Sequence, residues 1–581
     1  MKKTIDRAIA ALALLGKKDR LLAAGLLIVA GWTSAWAQEQ TVGLFVNDER
    51  AYEGYTLIAP LFNPSTYLID MDGQVVHSWE HEHRPHVVTY LLPNGNLLRP
   101  ARSSNTHPQP AINRPGGSIQ EIAWDGTVVW NFEYSDSLHA LHHDVEKLPN
   151  GNVLMIAWEY KNAEEAIAAG RKPDSTSLPA GALWPDQIIE VRPIPPDSGE
   201  IVWQWNVWDH LIQDFDSTKA NFGVVEDHPE LIDINAVIGN SAGDWQHFNA
   251  INYHKEFDQI ILSSPFFNEL WVIDHSTTTE EAAGHTGGRY GKGGDLLYRW
   301  GNPAVYQAGT TADQQLFFQH DTHWIEPGLP GAGNILLFNN RLRSPSHSEI
   351  LELALPADDN GVYSLAPDGS FSPADVIWQY DDPPVFYSDF ISGAQRLPNG
   401  NTLIDEGMTG RIFEITPDGE IVWQYVNPVV FDGPLAQGDS IPPGVPAGPH
   451  RLANSVFRAY RYGVDYAGLQ GKDLTPKGTI EGVPTATESE TGPPADFVLH
   501  QNYPNPFNAT TSVVFSAPRP GPVTLTVYNV LGQRVATLAE RHYGLGRHVV
   551  HFDATGLTSG VYFYRLESEG FTTTKTMLLI Q

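Results

Sequence analysis

From residue 41 to residue 463 hydrophobic and polar positions alternate in short runs, and the runs belong to a recurring two-part unit. The first part is an alternating strand, a turn and a second strand that ends in tryptophan: YLIDMDGQVVHSW to Trp79, IQEIAWDGTVVW to Trp130, IIEVRPIPPDSGEIVW to Trp203 and IFEITPDGEIVW to Trp423. Less regular copies end at Trp300 and Trp378. Period-2 alternation predicts strands with one buried face. The Asp-Gly pairs predict hairpin turns, because both residues tolerate positive φ. The second part is another hairpin, built on LPNGN at 92–96, 148–152 and 397–401, with looser versions at Ile251, Ile325 and Leu452. Two hairpins make a four-stranded sheet. A lone sheet cannot bury both faces, so six of them packed radially are expected: an all-β, six-bladed β-propeller over residues 41–465, with circular closure free to shift the count by one. The six tryptophans are expected to pack blade on blade rather than to touch a ligand.

After Tyr462 the pattern stops. Residues 466–495 are rich in Gly, Pro, Thr and Glu and read as an extended linker. Alternation resumes in VVFSAP, VTLTVYNVLG, HVVHFDAT, GVYFYRLES and TTTKTMLLI, which predicts a small C-terminal β-sandwich over 496–581.

Charge narrows the choice of partner. Sixty-eight acidic residues against 36 basic ones leave a formal charge of −32, which repels a phosphate backbone, so nucleic acid is not expected. Attraction for a small anion must then come from the site itself. The absence of cysteine excludes disulfides and thiolate metal sites. Near the N-terminus, the charged residues 17–20, the apolar run 21–32 and Ala35-Trp36-Ala37 read as a signal peptide over 1–37, cleaved after Ala37. That run is too short to span a bilayer, so the membrane is expected only in transit or through surface anchoring.

Histidines recur at one step of the repeat. His143 lies five residues before Leu148, His320 five before Ile325, and His247 four before Ile251. Equivalent positions in a radial array meet near its axis, so these three are candidate site residues, although a histidine beside an aspartate also suits the holding of a turn. His142 and His323 neighbour them, His86 shares the phase of His142, and His450 falls near the equivalent place in the last unit. The strand NILLFNN runs into Arg341 and Arg343, either of which would bring a guanidinium suited to a sulfate or carboxylate.

The run from Phe497 to Gln581, with QNYPNPFN, NVLGQ, LTSGVYFYRL and a terminal TKTMLLIQ, resembles the C-terminal sorting domain of the type IX (Por) secretion system. The resemblance implies passage across the outer membrane by that machinery, to the cell surface or the medium. GDWQHFNAINYHKEFDQIILSS, QHDTHW with GNILLFNNR, PNGNTLIDEGMTGRIFEI and NSVFRAYRYGVDY resemble the bacterial aryl-sulfate sulfotransferase family. That resemblance implies movement of a sulfuryl group from a phenolic sulfate to a phenol, without a nucleotide donor or other cofactor, through a sulfurylated histidine. It makes His247 and His320 the supporting histidines and Arg341 the arginine. In the segment where the family carries its nucleophile, 401–412, this chain has no histidine, and Glu406 stands roughly in its place. Glutamate does not form the same N-sulfuryl intermediate, and His143 and His323 are the residues able in principle to stand in for the missing histidine.

Two other functions fit the same residues. One is a surface propeller that binds sulfated or anionic ligands without turnover. The other is a metal-dependent enzyme using axial histidines, although no compact ligand motif supports it and no metal is expected.

Overall fold

A computed structural model describes residues 40–102, 116–482 and 497–579, apart from interruptions at 83, 86, 344–345, 384, 445–450, 500–501, 503–506, 508–509, 520, 544–545 and 569–570. The expected signal peptide, His86 and His450 lie outside the described residues. The chain divides into two compact units after Val483. None of the described helices is long and apolar enough to cross a membrane.

The first unit contains, among the described residues, six antiparallel sheets of four or more strands. From inner to outer strand, the first is Val456–Gly463, Gly54–Pro60, Ser65–Ile69 and Val75–Glu80; the second Tyr90–Leu91, Leu97–Arg102, Gly117–Ile122 and Val128–Glu133. The third is His139–Lys147, Val153–Glu159, Asp186–Ile194 and Ser198–Asn206; the fourth Ala250–His254, Gln259–Ser264, Glu269–Asp274 and Tyr298–Trp300. The fifth is His320–Trp324, Ile335–Arg343, Ser346–Ala354 and Asp375–Asp381. The sixth is Gly393–Arg396, Thr402–Glu406, Arg411–Ile415 and Ile421–Val426, with Gly43–Asn47 added at its edge.

All six tryptophans of the repeat fall on outer strands. Five of their indole N–H groups donate into the next sheet: Trp79 to the Ala123 carbonyl, Trp130 to Ser198, Trp203 to the Thr277 hydroxyl, Trp378 to Pro417 and Trp423 to Met71. The flat rings fill the space between sheets while the polar edge is satisfied. In the LPNGN hairpins the last asparagine donates to a glutamate two strands away, Asn96 to Glu121, Asn152 to Glu190 and Asn401 to Glu414.

Inner strands are joined by a second series of bonds. Tyr90 Oη donates to Asp144 Oδ1, Ile251 N to Asp144 Oδ2, Trp324 N to Asn252, Ala394 N to Asp321, Arg461 N to Gln395, and Leu91 N to Tyr462 Oη. Taken in order, these bonds run from the second sheet through the third, fourth, fifth and sixth to the first and back to the second.

The stretch after Tyr466, expected as linker, begins instead as part of this unit. Leu469 and Ile480 are buried in its core, and Lys477 N donates to the Val75 carbonyl while Val75 N donates to Gly478. Two apolar anchors in a Gly- and Pro-rich stretch are too sparse to make a periodic signal.

The second unit has two antiparallel sheets, Val498–Leu499, Thr510–Ala517 and Gly546–Asp553 in one, and Arg534–Tyr543, Gly521–Asn529, Gly560–Ser568 and Phe571–Leu579 in the other. Both contribute to one apolar cluster that includes Phe515, Leu525, Tyr564 and Leu579.

Candidate functional site

The inner strands carry a polar cluster at their entry ends. His143 lies within His139–Lys147, where the pairing register slips opposite Ile156, between Met155 and Ala157. Such a bulge re-aims side chains, and here it lets His142 and His143, which strict alternation would send to opposite faces, bring their Nδ1 atoms to 2.8 Å. His143 and His247 both hold left-handed backbone, at φ 52° and 61°. Non-glycine residues keep that conformation at a cost, and such strain gathers at functional sites.

Six aromatic rings form a closed circuit. His143 meets His247 with centroids 4.4 Å apart; His247 stacks on Phe266 at 4.9 Å; Phe266 meets Phe318 at 5.7 Å. Phe318 continues to His320 at 6.0 Å, His320 to Phe457 at 6.1 Å, and Phe457 back to His143 at 6.1 Å. The three histidines expected near the axis are therefore together. The Arg341 guanidinium lies over the Phe318 ring at 3.7 Å, with Nε 2.8 Å from Asp389 Oδ1. It is 40% exposed, so a cation stands at the open side of the cluster.

Each histidine has a different electrostatic setting. Burial alone would lower the His247 imidazole, but the charge and 2.5 Å hydrogen bond of Asp244, with Asp186 behind, raise it above its ordinary value. Among the histidines of the circuit, His247 is thus the one whose protonated form is favoured by its surroundings. Burial pushes His320 down to about 3, with Arg458 and His247 adding to the effect. Its Nδ1–H donates to Asn340 Oδ1 and the Phe318 carbonyl, and its Nε2 accepts from Ile391 N–H, so both ring nitrogens are used within the protein. His142 is buried, stacked on Trp158 at 3.7 Å, and held far below its ordinary value by burial, with Nε2 2.7 Å from Asp186 Oδ1. Burial and the charge of Asp244 raise the Asp186 carboxyl. Trp158 Nε1 donates to Asp244, tying the two carboxylate–histidine pairs together.

Beneath the rings lies Arg458, buried, from the inner strand of the first sheet. It bonds Asp144 of the third sheet at 2.7 Å, stands 3.1 Å from Asp321 of the fifth, and donates to the Asn249 carbonyl beside the fourth. Burial opposes its charge, but the two carboxylates outweigh this and keep it protonated.

Two sequence candidates stand apart, and a third, Arg343, is described only in its backbone. His323 turns its Nδ1 to the Asp321 carbonyl at 2.8 Å and is not in the ring circuit. Glu406 pairs with Arg411 on the neighbouring strand at 3.1 Å, and burial pushes it up to about 7. Arg343 ends the same strand as Arg341, and its side chain lies outside the described residues. Sequence reading missed Asp186, Asp244, Phe266, Phe318, Phe457 and Arg458. Of these, only the Asp244-x-x-His247 spacing carried a local signal.

Residues 46–423 match the family model described as Arylsulfotransferase (ASST), and residues 501–581 match the Secretion system C-terminal sorting domain. Comparison with curated proteins gives no match. Among solved structures, a protein of unknown function from Bacteroides caccae is 13% identical, covering 64% of this chain and 93% of its own, with a TM-score of 0.35. Streptogramin B lyase is 10% identical, covering 68% and 89%, with a TM-score of 0.30. Both are too distant to inform function.

Proposed function

Since the chain belongs to the arylsulfotransferase family, we propose that it is an exported sulfotransferase that moves a sulfuryl group from a phenolic sulfate to a phenol, with His143 as nucleophile. Its scaffold is a six-bladed propeller, supported by the six sheets and the circuit of bonds joining them. The observation that carries the reading is the contact of His143 with His247, one imidazole backed by His142 and the other hydrogen-bonded to Asp244. The C-terminal sorting domain supplies the export route, through type IX secretion machinery to the surface or the medium.

The chemistry follows from these settings. His143 donates its Nδ1–H to the neutral His142 and attacks sulfur with Nε2; the sulfur–oxygen bond to the aryl group breaks and the phenolate leaves. The acceptor phenol then attacks the same sulfur, the sulfur–nitrogen bond breaks with its electron pair returning to His143 Nε2, and the acceptor's proton passes through water to the departed phenolate. Charge on the peripheral sulfuryl oxygens faces the His247 imidazolium and Arg341, whose fixed positions stabilise it. His320, with both nitrogens engaged, positions the Phe318 backbone and the 391 loop rather than touching the anion. Incubation with p-nitrophenyl sulfate and a phenol tests this: nitrophenol release no greater than that of a His143→Ala control rejects transfer.

A second reading, a surface binder of aryl sulfates without turnover, is favoured by the lack of histidine at 401–412. Saturable binding with no nitrophenol release and no sulfurylated histidine by mass spectrometry would select it.

A further inference from the structure

Away from the ring circuit, three side chains converge on one point. His210 follows the outer strand of the third sheet, His285 lies in the loop before the outer strand of the fourth, and Asp295 leads into that strand. Their ligand atoms all lie within 4.8 Å of one another. His210 Nδ1 is 2.9 Å and His285 Nδ1 2.8 Å from the same oxygen, Asp295 Oδ1.

The position of His210 is fixed from behind. Its Nε2 lies 2.8 Å from the Ala282 carbonyl, which can only accept, so Nε2 carries a proton and Nδ1 is the nitrogen turned toward Asp295. A backbone carbonyl on the far nitrogen is the usual support of a metal-ligating histidine. Trp205 lies parallel to the ring at 5.6 Å, and its indole N–H donates to the Gly294 carbonyl. Glycine is required at 294, since a Cβ would come within 2.6 Å of His210 Nε2 and 2.0 Å of the Ala282 oxygen. His210 is fully buried and Asp295 nearly so, whereas His285 is 60% exposed.

Two imidazole nitrogens aimed at one carboxylate oxygen are held there either by ring protons or by a shared cation. We propose that His210, His285 and Asp295 form a binding site for a divalent transition metal ion, with zinc the best fit, open to water on the His285 side. Two nitrogens and one carboxylate oxygen match the donor preference of zinc and not that of calcium or magnesium. The ion would join the outer edges of two neighbouring sheets, a covalent-strength link in a chain that has no cysteine.

The full chain, stripped with chelator and dialysed, is titrated separately with Zn²⁺ and with Co²⁺, following bound metal by elemental analysis and Co²⁺ by its visible absorption. One equivalent is expected for the wild type, with affinity at least tenfold weaker in both His285→Ala and Asp295→Asn, and a rise in Tm on adding Zn²⁺ only in the wild type. His285 is exposed, so its variant keeps the fold. If the wild type binds no more than the two variants, or shows no Tm response, protons hold the cluster together and the metal site is overturned.

Discussion

His143 and His247 come from different sheets, yet their rings meet at 4.4 Å and 75°, one joined to His142 and the other to Asp244. Removing either ring therefore has separable effects. His143→Ala is expected to lower kcat by about 10³-fold or more while leaving aryl-sulfate affinity nearly intact, because a nucleophile acts in the chemical step. Single-turnover kinetics with mass-spectrometric search for a sulfurylated histidine checks it.

Asp244→Asn removes the charge that lifts His247. An imidazolium binds anions below its pKa, so affinity for aryl sulfate falls as pH rises through the raised value, and in the variant that fall moves to lower pH. Binding titrations across the neutral range read the displacement.

Arg341→Ala is expected to weaken aryl-sulfate binding about tenfold, with Arg341→Lys recovering part of the loss, because a point charge replaces a fork stacked on Phe318. Unchanged affinity in Arg341→Ala would remove this residue from the site.

Arg458→Met leaves Asp144 and Asp321 buried without their cation. A loss of about 3–5 kcal/mol is expected, as for other buried pairs cut on one side. Urea unfolding measures it, and the deficit should shrink as pH falls and Asp321, whose carboxyl burial raises, takes up a proton.

His275 is held between Asp258 at 2.7 Å and Glu190 at 2.9 Å; burial lowers it, but the two hydrogen-bonded carboxylates win and raise it to about 9. Its contribution to stability is complete below the ordinary imidazole pKa and is lost as pH rises through about 9. Tm measured from pH 6 to 10 should fall more steeply for the wild type than for His275→Gln.

The outer strands were legible because their alternation, Asp-Gly turns and closing tryptophans are local signals, and Trp79, Trp130 and Trp423 do pack sheet on sheet. The meeting of His143, His247 and His320 followed from their shared phase in the repeat. What each does was not legible. The bulge at His143 depends on pairing with another strand, and the raised pKa of His247 and the engagement of both His320 nitrogens depend on Asp244 and on Asn340 with Ile391, contacts that side-chain order along the chain does not encode. Glu406 matched by position in the motif, but its charge is spent on Arg411.

The first sheet takes its inner strand from the far end of the unit, with Gly54 opposite Gly463, and Gly43–Asn47 completes the sixth. Both seams thus need residues that lie hundreds of positions apart in the chain. A chain still emerging from a ribosome lacks this latch until residues 456–463 have been made, and contacts of such long range form slowly. Closure of the first and sixth sheets is consequently a late event of folding, and the terminal strands that make it are the clasp on which the rest of the unit depends.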